Sequence, residues 1–191
     1  MKLSILIPVH SKHIDKFNIL KVNLAQQIIW RKEDNLEIEV LPLINYGEKS
    51  IGFYRQSLLE MSKADYVVFI DADDKVSNDY VQLVLNALES NPDCLGLKGT
   101  MTTNGQKHET WEISKNLPYD QKRKQKGIFH YRRFTNHLAP IKRSIALQIG
   151  YKPIGFGEDY DYAKRLHDSK LCKNEVKINK EIYHYDFWTN K

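Results

Sequence analysis

The residues of this 191-residue chain that could do chemistry fall in two acidic clusters. The first closes the stretch YVVFIDADDKV, Tyr66 to Val76, where an apolar run ends in Asp71, Asp73 and Asp74. Carboxylates this close repel one another and are costly to ionise together in a confined site. A hard cation removes that cost. Mg²⁺ and Mn²⁺ take oxygen ligands and are commonly held by one or two carboxylates together with substrate phosphates. A polar turn capping the next helix would use the same residues, and a lone Asp-x-Asp tripeptide does not decide between the two. The second cluster, in FGEDYD, places Glu158, Asp159 and Asp161 behind Gly155 and Gly157. Glycines let the backbone turn sharply or approach a ligand closely. A carboxylate there that reaches a substrate hydroxyl could act as a general base; acidic residues at a helix N-terminus are the simpler alternative.

The elements that must position these groups follow from hydrophobic periodicity. Residues 3–9 predict a buried strand, 13–30 a helix, and 36–44 a second strand in which Pro42 marks an edge or a bulge. A helix is expected over 51–63, and the strand 65–70 ends at the carboxylates. Ser77 or Asn78 would cap a helix that buries Val81, Val84, Leu85 and Leu88. Further strands are expected within 94–113, then a basic irregular segment over 114–135 and a short helix ending at Gly150. A helix over 157–169 and a strand-like aromatic tail over 177–188 complete the chain. Alternating strands and helices predict one α/β domain spanning 1–191, with a Rossmann-like, mostly parallel central sheet flanked by helices. In such sheets ligands bind outside the carboxyl ends of the strands, where Asp71, Asp73 and Asp74 would sit.

At 41% hydrophobic and 28% charged residues, the composition is that of an ordinary soluble globular protein rather than a disordered chain. The N-terminal run LSILIPV is far shorter than the roughly 20 residues of a membrane span. It also lacks a small-residue cleavage site, so the protein is expected in the cytoplasm. Cys94 and Cys172 have no C-x-x-C spacing and are expected to be free, buried thiols. The net charge of +5 is unevenly spread. Lys115, Lys122, Arg123, Lys124, Lys126, Arg132 and Arg133 face Asp120 alone over residues 115–133. Tyr119, Phe129, His130 and Tyr131 are interleaved with them. This pattern suits either a solvated loop or a surface for a phosphate-rich partner such as a nucleic acid.

Taken in order, SILIPVH, SIGFYRQSLLEMSKADYVVFIDADD, HLAPIKR, FGEDYDYAKRL and IYHY resemble the family 2 nucleotide-sugar glycosyltransferases of the GT-A fold. The likeness runs over nearly the whole chain, in a compact form similar to stand-alone enzymes of bacteria and bacteriophages. The resemblance implies a metal-dependent, inverting transfer from a nucleoside diphosphate sugar, such as a UDP-sugar, to an acceptor hydroxyl. It sets Pro8, Val9 and His10 against the nucleotide, with Gly52 and Arg55 near the donor. Arg55 would meet the diphosphate, while Asp71 and Ala72 would meet the ribose or donor sugar. Asp73 and His184 would ligate Mn²⁺ or Mg²⁺, and Asp159 would be the base, supported by Glu158. Asn45 stands where many members carry an aspartate for the base, and Gln56 where they carry asparagine. His137 and Lys142, together with Lys122, Arg123 and Arg132 of the basic segment, are candidate acceptor or phosphate contacts. The acceptor is left open between a lipid-linked sugar, a surface oligosaccharide and a hydroxymethylated base in DNA. A sugar nucleotidyltransferase and a non-catalytic binding module remain as rival classes. The first usually has a glycine-rich loop after the first strand, where this chain has PVHSKHIDKF.

Overall fold

The computed structural model describes residues 3–29, 38–118, 121–125 and 128–189. Strand β1 (Leu3–His10) lies between β2 (Ile38–Asn45) and β3 (Tyr66–Phe69) and runs parallel to both. The sheet continues through β9 (Ile141–Lys142), β5 (Cys94–Thr103), β6 (Gln106–Ile113), β8 (Ile128–Arg133) and β7 (Gln121–Gln125). The long β10 (Glu175–Phe187) pairs parallel to β5 and antiparallel to the short β4 (Lys75–Val76). Pro42 is accommodated on β2, the end strand of this order, without a register shift, because an edge strand can spare one donor.

Side chains of β1 alternate between two cores, as the period of a strand requires. Ile5, Ile7 and Val9 pack with Phe17, Leu20 and Leu24 of α1 (Ile14–Ile29) and with Val81, Val84 and Leu88 of α3 (Tyr80–Leu88). Leu6 joins Leu58 and Leu59 of α2 (Ile51–Met61), Ile145 of α4 (Arg143–Ile149), and Tyr162 and Leu166 of α5 (Glu158–Ser169). Helices on both faces explain why β1 and β3 read as continuous apolar runs rather than as alternating ones. Ser50 caps α2 by accepting from the Phe53 amide at 3.3 Å.

Two expectations are corrected here. The α3 N-cap is Asp79, because Ser77 is drawn to β10: its amide donates to the Ile182 carbonyl and its hydroxyl to Asp79 Oδ1. Within 114–135, β7 and β8 form an antiparallel hairpin that joins β6 through β8. The charge excess hid strand-forming residues such as Ile128 and Tyr131. Tyr119, Asp120 and Lys126 lie outside the described residues, as do the side chains of Arg123, Lys124 and Phe129. Among the described residues no helix is long and apolar enough to cross a membrane.

Gly52 answers to packing. A Cβ there would stand 2.0 Å from the Lys152 carbonyl oxygen and 2.9 Å from that of Ile154, and its amide donates to the latter at 3.1 Å. This glycine seats α2 against the loop before α5, rather than lining a ligand site.

Lys142 is also corrected. It pairs with Tyr66 at the amino end of β3, away from the carboxylates, and its Nζ lies 3.0 Å from Asp93 Oδ1. Asp93 Oδ2 accepts from the Lys173 and Asn174 amides, both at 2.9 Å. Burial opposes ionisation of Asp93, but these amides and Lys142 outweigh it and lower its pKa. The stabilisation is therefore complete above the ordinary carboxylate value of about 4 and is lost as pH falls through the lowered one. Asp93→Asn should cost roughly 1–3 kcal/mol at pH 7, since an amide cannot satisfy the same donors. The deficit should shrink in strong acid, as followed by urea unfolding across pH.

Candidate active site

Parallel alignment of β1, β2 and β3 brings His10, Asn45 and the end of β3 to one edge of the sheet. Behind that edge lies Arg55, on the buried face of α2 and only 4% exposed. Its Nη2 donates to Asp71 Oδ1 at 2.8 Å and its Nε to Glu158 Oε1 at 3.1 Å. The guanidinium also lies 5.3 Å from the centre of the Phe69 ring. A buried cation needs such partners, because burial alone disfavours its charge. Burial would likewise raise the Asp71 pKa, but Arg55 and then His137 hold that carboxyl well below the usual range. Arg55 thus stands behind the carboxylates, with Nη2 and Nε committed to them. Glu158 is buried and orients this pair.

The three carboxylates after β3 occupy different surroundings. The Asp71 amide donates to the Tyr183 hydroxyl at 3.2 Å, and that hydroxyl donates to Asp74 Oδ2 at 2.6 Å. Burial, and next the charge of Asp71, push the Asp74 pKa well above its ordinary value. Asp74 therefore binds β10 to the turn. Asp73 points elsewhere: its Oδ2 is 3.4 Å from Nδ1 of His13, in the short turn after β1. Sequence reasoning missed His13, although its place three residues past His10 beyond a ligand-edge strand was the available signal.

His184 is engaged at both ring nitrogens, Nδ1 with Thr100 Oγ1 at 2.7 Å and Nε2 with Asp186 Oδ1 at 2.9 Å. Direct ligation by His184 would require one of these contacts to break. Burial opposes ionisation of Asp186, but Thr102, His184 and Lys75 bring its pKa down to about 2. Among the described residues no three His, Cys, Asp or Glu side chains are grouped to hold an ion. A donor set of one or two carboxylates completed by substrate phosphate oxygens fits Asp73 and Asp71 as hard oxygen ligands.

A cavity of about 640 Å³ opens between the carboxylates and the β5–β6–β8 part of the sheet. Its lining includes Asp71, Asp74, His137 and Asp159 together with the aromatic Trp111, Tyr131 and Tyr185. Asp159 projects from the first turn of α5, where the helix dipole favours an anion, and its Oδ1 accepts from the Tyr160 amide at 2.8 Å. Asp161 is bound instead to Lys152 and Arg165, at 2.6 and 2.8 Å. Gly157 precedes the helix with φ of +90°, a turn that other side chains resist. His137 is 7% exposed, with Nε2 3.5 Å from Asp71 Oδ2. His137 Nδ1, Arg55 Nη1 and the Tyr151 hydroxyl lack hydrogen-bond partners among the described residues. Such buried polar groups ask for water or a ligand.

The remaining expectations divide. Pro8 and Val9 are interior; Val9, with no exposed surface, packs in the core that α1 and α3 cover, while Pro8 is buried on the alternate side of the strand. His10 is partly exposed, and its Nδ1 accepts from the Lys12 amide. Asn45 Oδ1 accepts from the Gly47 amide at 2.7 Å, which commits part of its acceptor capacity to the turn. Ala72 is buried. Arg132 Nε donates to Glu112 at 2.5 Å, whereas exposed Lys122 holds its Nζ 4.9 Å from the centre of the Tyr131 ring, at the cavity wall.

Solved structures share this fold. A crystal structure of S. aureus TarS 1–349 in complex with UDP-GlcNAc matches with a TM-score of 0.65 and 14% identity over 100% of this chain. One in complex with UDP matches with a TM-score of 0.64 and 15% identity over 97%. The chain spans 60% of either structure's length. No curated protein matches the sequence. The family profile described as glycosyl transferase family 2 matches residues 54–150, just over half of the chain, from α2 and Arg55 through the carboxylates to the end of α4. With that match laid over the same sheet edge, the chain belongs to glycosyl transferase family 2.

Proposed function

We propose that this protein transfers a sugar from a nucleoside diphosphate donor, a UDP-sugar, to an acceptor hydroxyl, with inversion in a single displacement. The observation that carries this reading is that Asp159 and Asp71 open onto one cavity while Arg55 ties their supports together. Asp159 takes the acceptor proton as the acceptor oxygen attacks the anomeric carbon, and the donor's nucleoside diphosphate departs on the opposite side. Asp71, held anionic, orients donor hydroxyls. His10 and Asn45 at the sheet edge receive the nucleotide. The likeness to TarS structures holding UDP and UDP-GlcNAc supports a uridine donor.

A divalent cation, Mn²⁺ or Mg²⁺, would be held by Asp73, with Asp71 beside it, and would neutralise charge on the departing diphosphate. We place the reaction in the cytoplasm. The aromatic wall of the cavity suits an acceptor with a ring face, either a glycan or a hydroxymethylated base. The base reading draws support from the β7–β8 hairpin, where Lys122 stands beside Tyr131. A base within a duplex would have to flip out to react.

Three measurements test these assignments. Asp159→Asn should lower turnover by about 10²–10⁴-fold while leaving UDP affinity intact, which separates a catalyst from a binding module. Undiminished turnover would remove Asp159 as the base. UDP with Mn²⁺ at about 100 times Kd adds roughly 2.7 kcal/mol, hence a rise in Tm of about 5–11 °C for a chain of this size. The metal-dependent part of that rise should vanish in Asp73→Asn. Finally, binding to a duplex carrying hydroxymethylated bases should weaken by at least about tenfold between 50 and 200 mM salt. Absence of binding at the lower salt would leave the glycan as acceptor.

A further inference from the structure

The loop between α4 and α5 carries a fully exposed aromatic ring, that of Phe156, shortly before Asp159. Slack backbone does not account for it. On one side the loop is pinned through Ile154, whose carbonyl accepts from the Gly52 amide at 3.1 Å and whose amide donates to the Lys152 carbonyl at 2.8 Å. Tyr151, at the start of the loop, is buried and stacks on Tyr162 with ring centres 4.2 Å apart. On the other side the Gly157 carbonyl accepts from the Asp161 amide at 3.0 Å as α5 begins. Phe156 stands between these anchors with a glycine on each side. A Cβ at Gly155 would meet nothing within 4 Å, and Gly157 takes a φ of +90°. The ring lines the same cavity as Asp159, Tyr160 and Tyr185. A large apolar group held out to water at a cavity marks a surface meant to be covered by a ligand.

We infer that Phe156 is a specificity-determining residue for the acceptor, and that the acceptor it takes is a neutral saccharide whose pyranose ring lies face-on to the phenyl group. The inference rests on the sugar transfer proposed above and names its acceptor class. A pyranose carries C–H groups on its faces and hydroxyls around its edge. The face suits an aromatic ring. The edge needs a few polar partners, and Asn136, Asp159 and Tyr160 line the same cavity. Charge separates this acceptor from a nucleic acid. Asp71, Glu112 and Asp159 line the cavity, and among the described residues Arg133 is the only Lys or Arg side chain that does so. A field of that sign repels a phosphodiester backbone and leaves an uncharged sugar unaffected. Phe156 and Asp159 lie on one short segment of chain. They would hold the face and the reacting hydroxyl of the same ring, so the loop that seats the acceptor also delivers it to the base.

The test uses the whole chain labelled with fluorophenylalanine, with UDP and Mn²⁺ present. The fluorine NMR line of Phe156 is assigned by its absence in Phe156→Leu. Methyl β-D-glucopyranoside, methyl β-D-galactopyranoside, cellobiose and chitobiose are the saccharide probes; a single strand carrying hydroxymethylcytosine is the rival. At least one saccharide should shift the Phe156 line saturably, and with UDP-glucose or UDP-GlcNAc as donor that saccharide should be glycosylated. Phe156→Ala should raise its KM roughly tenfold while kcat changes by less than about threefold, and Phe156→Tyr should restore the wild-type KM. Because the ring is fully exposed, Phe156→Ala should unfold at the wild-type Tm without ligand; a lower Tm would make the ring structural and overturn the inference. A Phe156 line that no saccharide moves, or that the oligonucleotide alone moves, also overturns it, as does a fall in kcat with KM unchanged. Failure of the underlying transfer reading looks different: UDP with Mn²⁺ then gives no rise in Tm, and the acceptor assignment falls with it.

Discussion

A guanidinium sealed in the interior is the constraint on which the site depends. Arg55 has nowhere to put its charge except on Asp71 and Glu158. Removing either carboxylate would leave the buried guanidinium one partner short, a loss of about 1–3 kcal/mol. The three residues come from α2, the end of β3 and the start of α5, so the guanidinium's need for partners also sets geometry. Once Glu158 turns inward to meet Arg55, its neighbour Asp159 is aimed along a different side of the same helical turn, into the cavity. Asp71 is kept anionic where it borders that cavity. One buried cation therefore holds Asp71 at the border of the cavity and, through Glu158, fixes the helical turn that carries Asp159.

The same logic separates carboxylates that are chemically identical. Asp71, Asp73 and Asp74 lie within four positions, yet environment gives each a different task. Arg55 keeps Asp71 charged. Asp74, deeper and repelled by Asp71, holds Tyr183 and the last strand. Asp73 turns toward His13, in the short turn after β1. Glu158, Asp159 and Asp161 divide in the same way, between a buried ion pair, the cavity and a surface clamp on Lys152 and Arg165. Crowding of like charges is tolerated because each pair of neighbours is parted by a cation, a proton or a turn of backbone.

Period and composition made most elements legible. The buried strands, the amphipathic helices and the placement of both acidic clusters at element ends follow from local spacing. What local spacing does not encode is which neighbour a residue meets. Gly52 stands beside a loop a hundred positions away, so its constraint is invisible until Lys152 and Ile154 arrive. Lys142 sits between acidic clusters in sequence but at the opposite end of β3, because β9 runs antiparallel. Pro8 and Val9 adjoin a ligand-edge loop, yet helices on both sheet faces bury them. The β7–β8 hairpin was hidden because exposed strand faces carry charge as readily as loops do.

The last strand shows why the site is a property of the whole sheet. β10 brings Tyr183 under the Asp71 amide and Asp74, His184 and Asp186 into a network with Thr100 and Thr102, and Tyr185 into the cavity wall. None of these contacts exists until β10 pairs with β5, across a register that shifts between Lys177 and Tyr183. Past those shifts the strand stays paired with β5 as far as Phe187, while Tyr183 and His184 also pair with β4 beside the carboxylate turn. Asp74, buried and disfavoured as an anion, can be sealed in only when Tyr183 and the Asp186 amide reach it. The site's most costly carboxylate is thus stable only in the completed fold, so partial structures lacking β10 would leave Asp74 hydrated and the cavity without a wall.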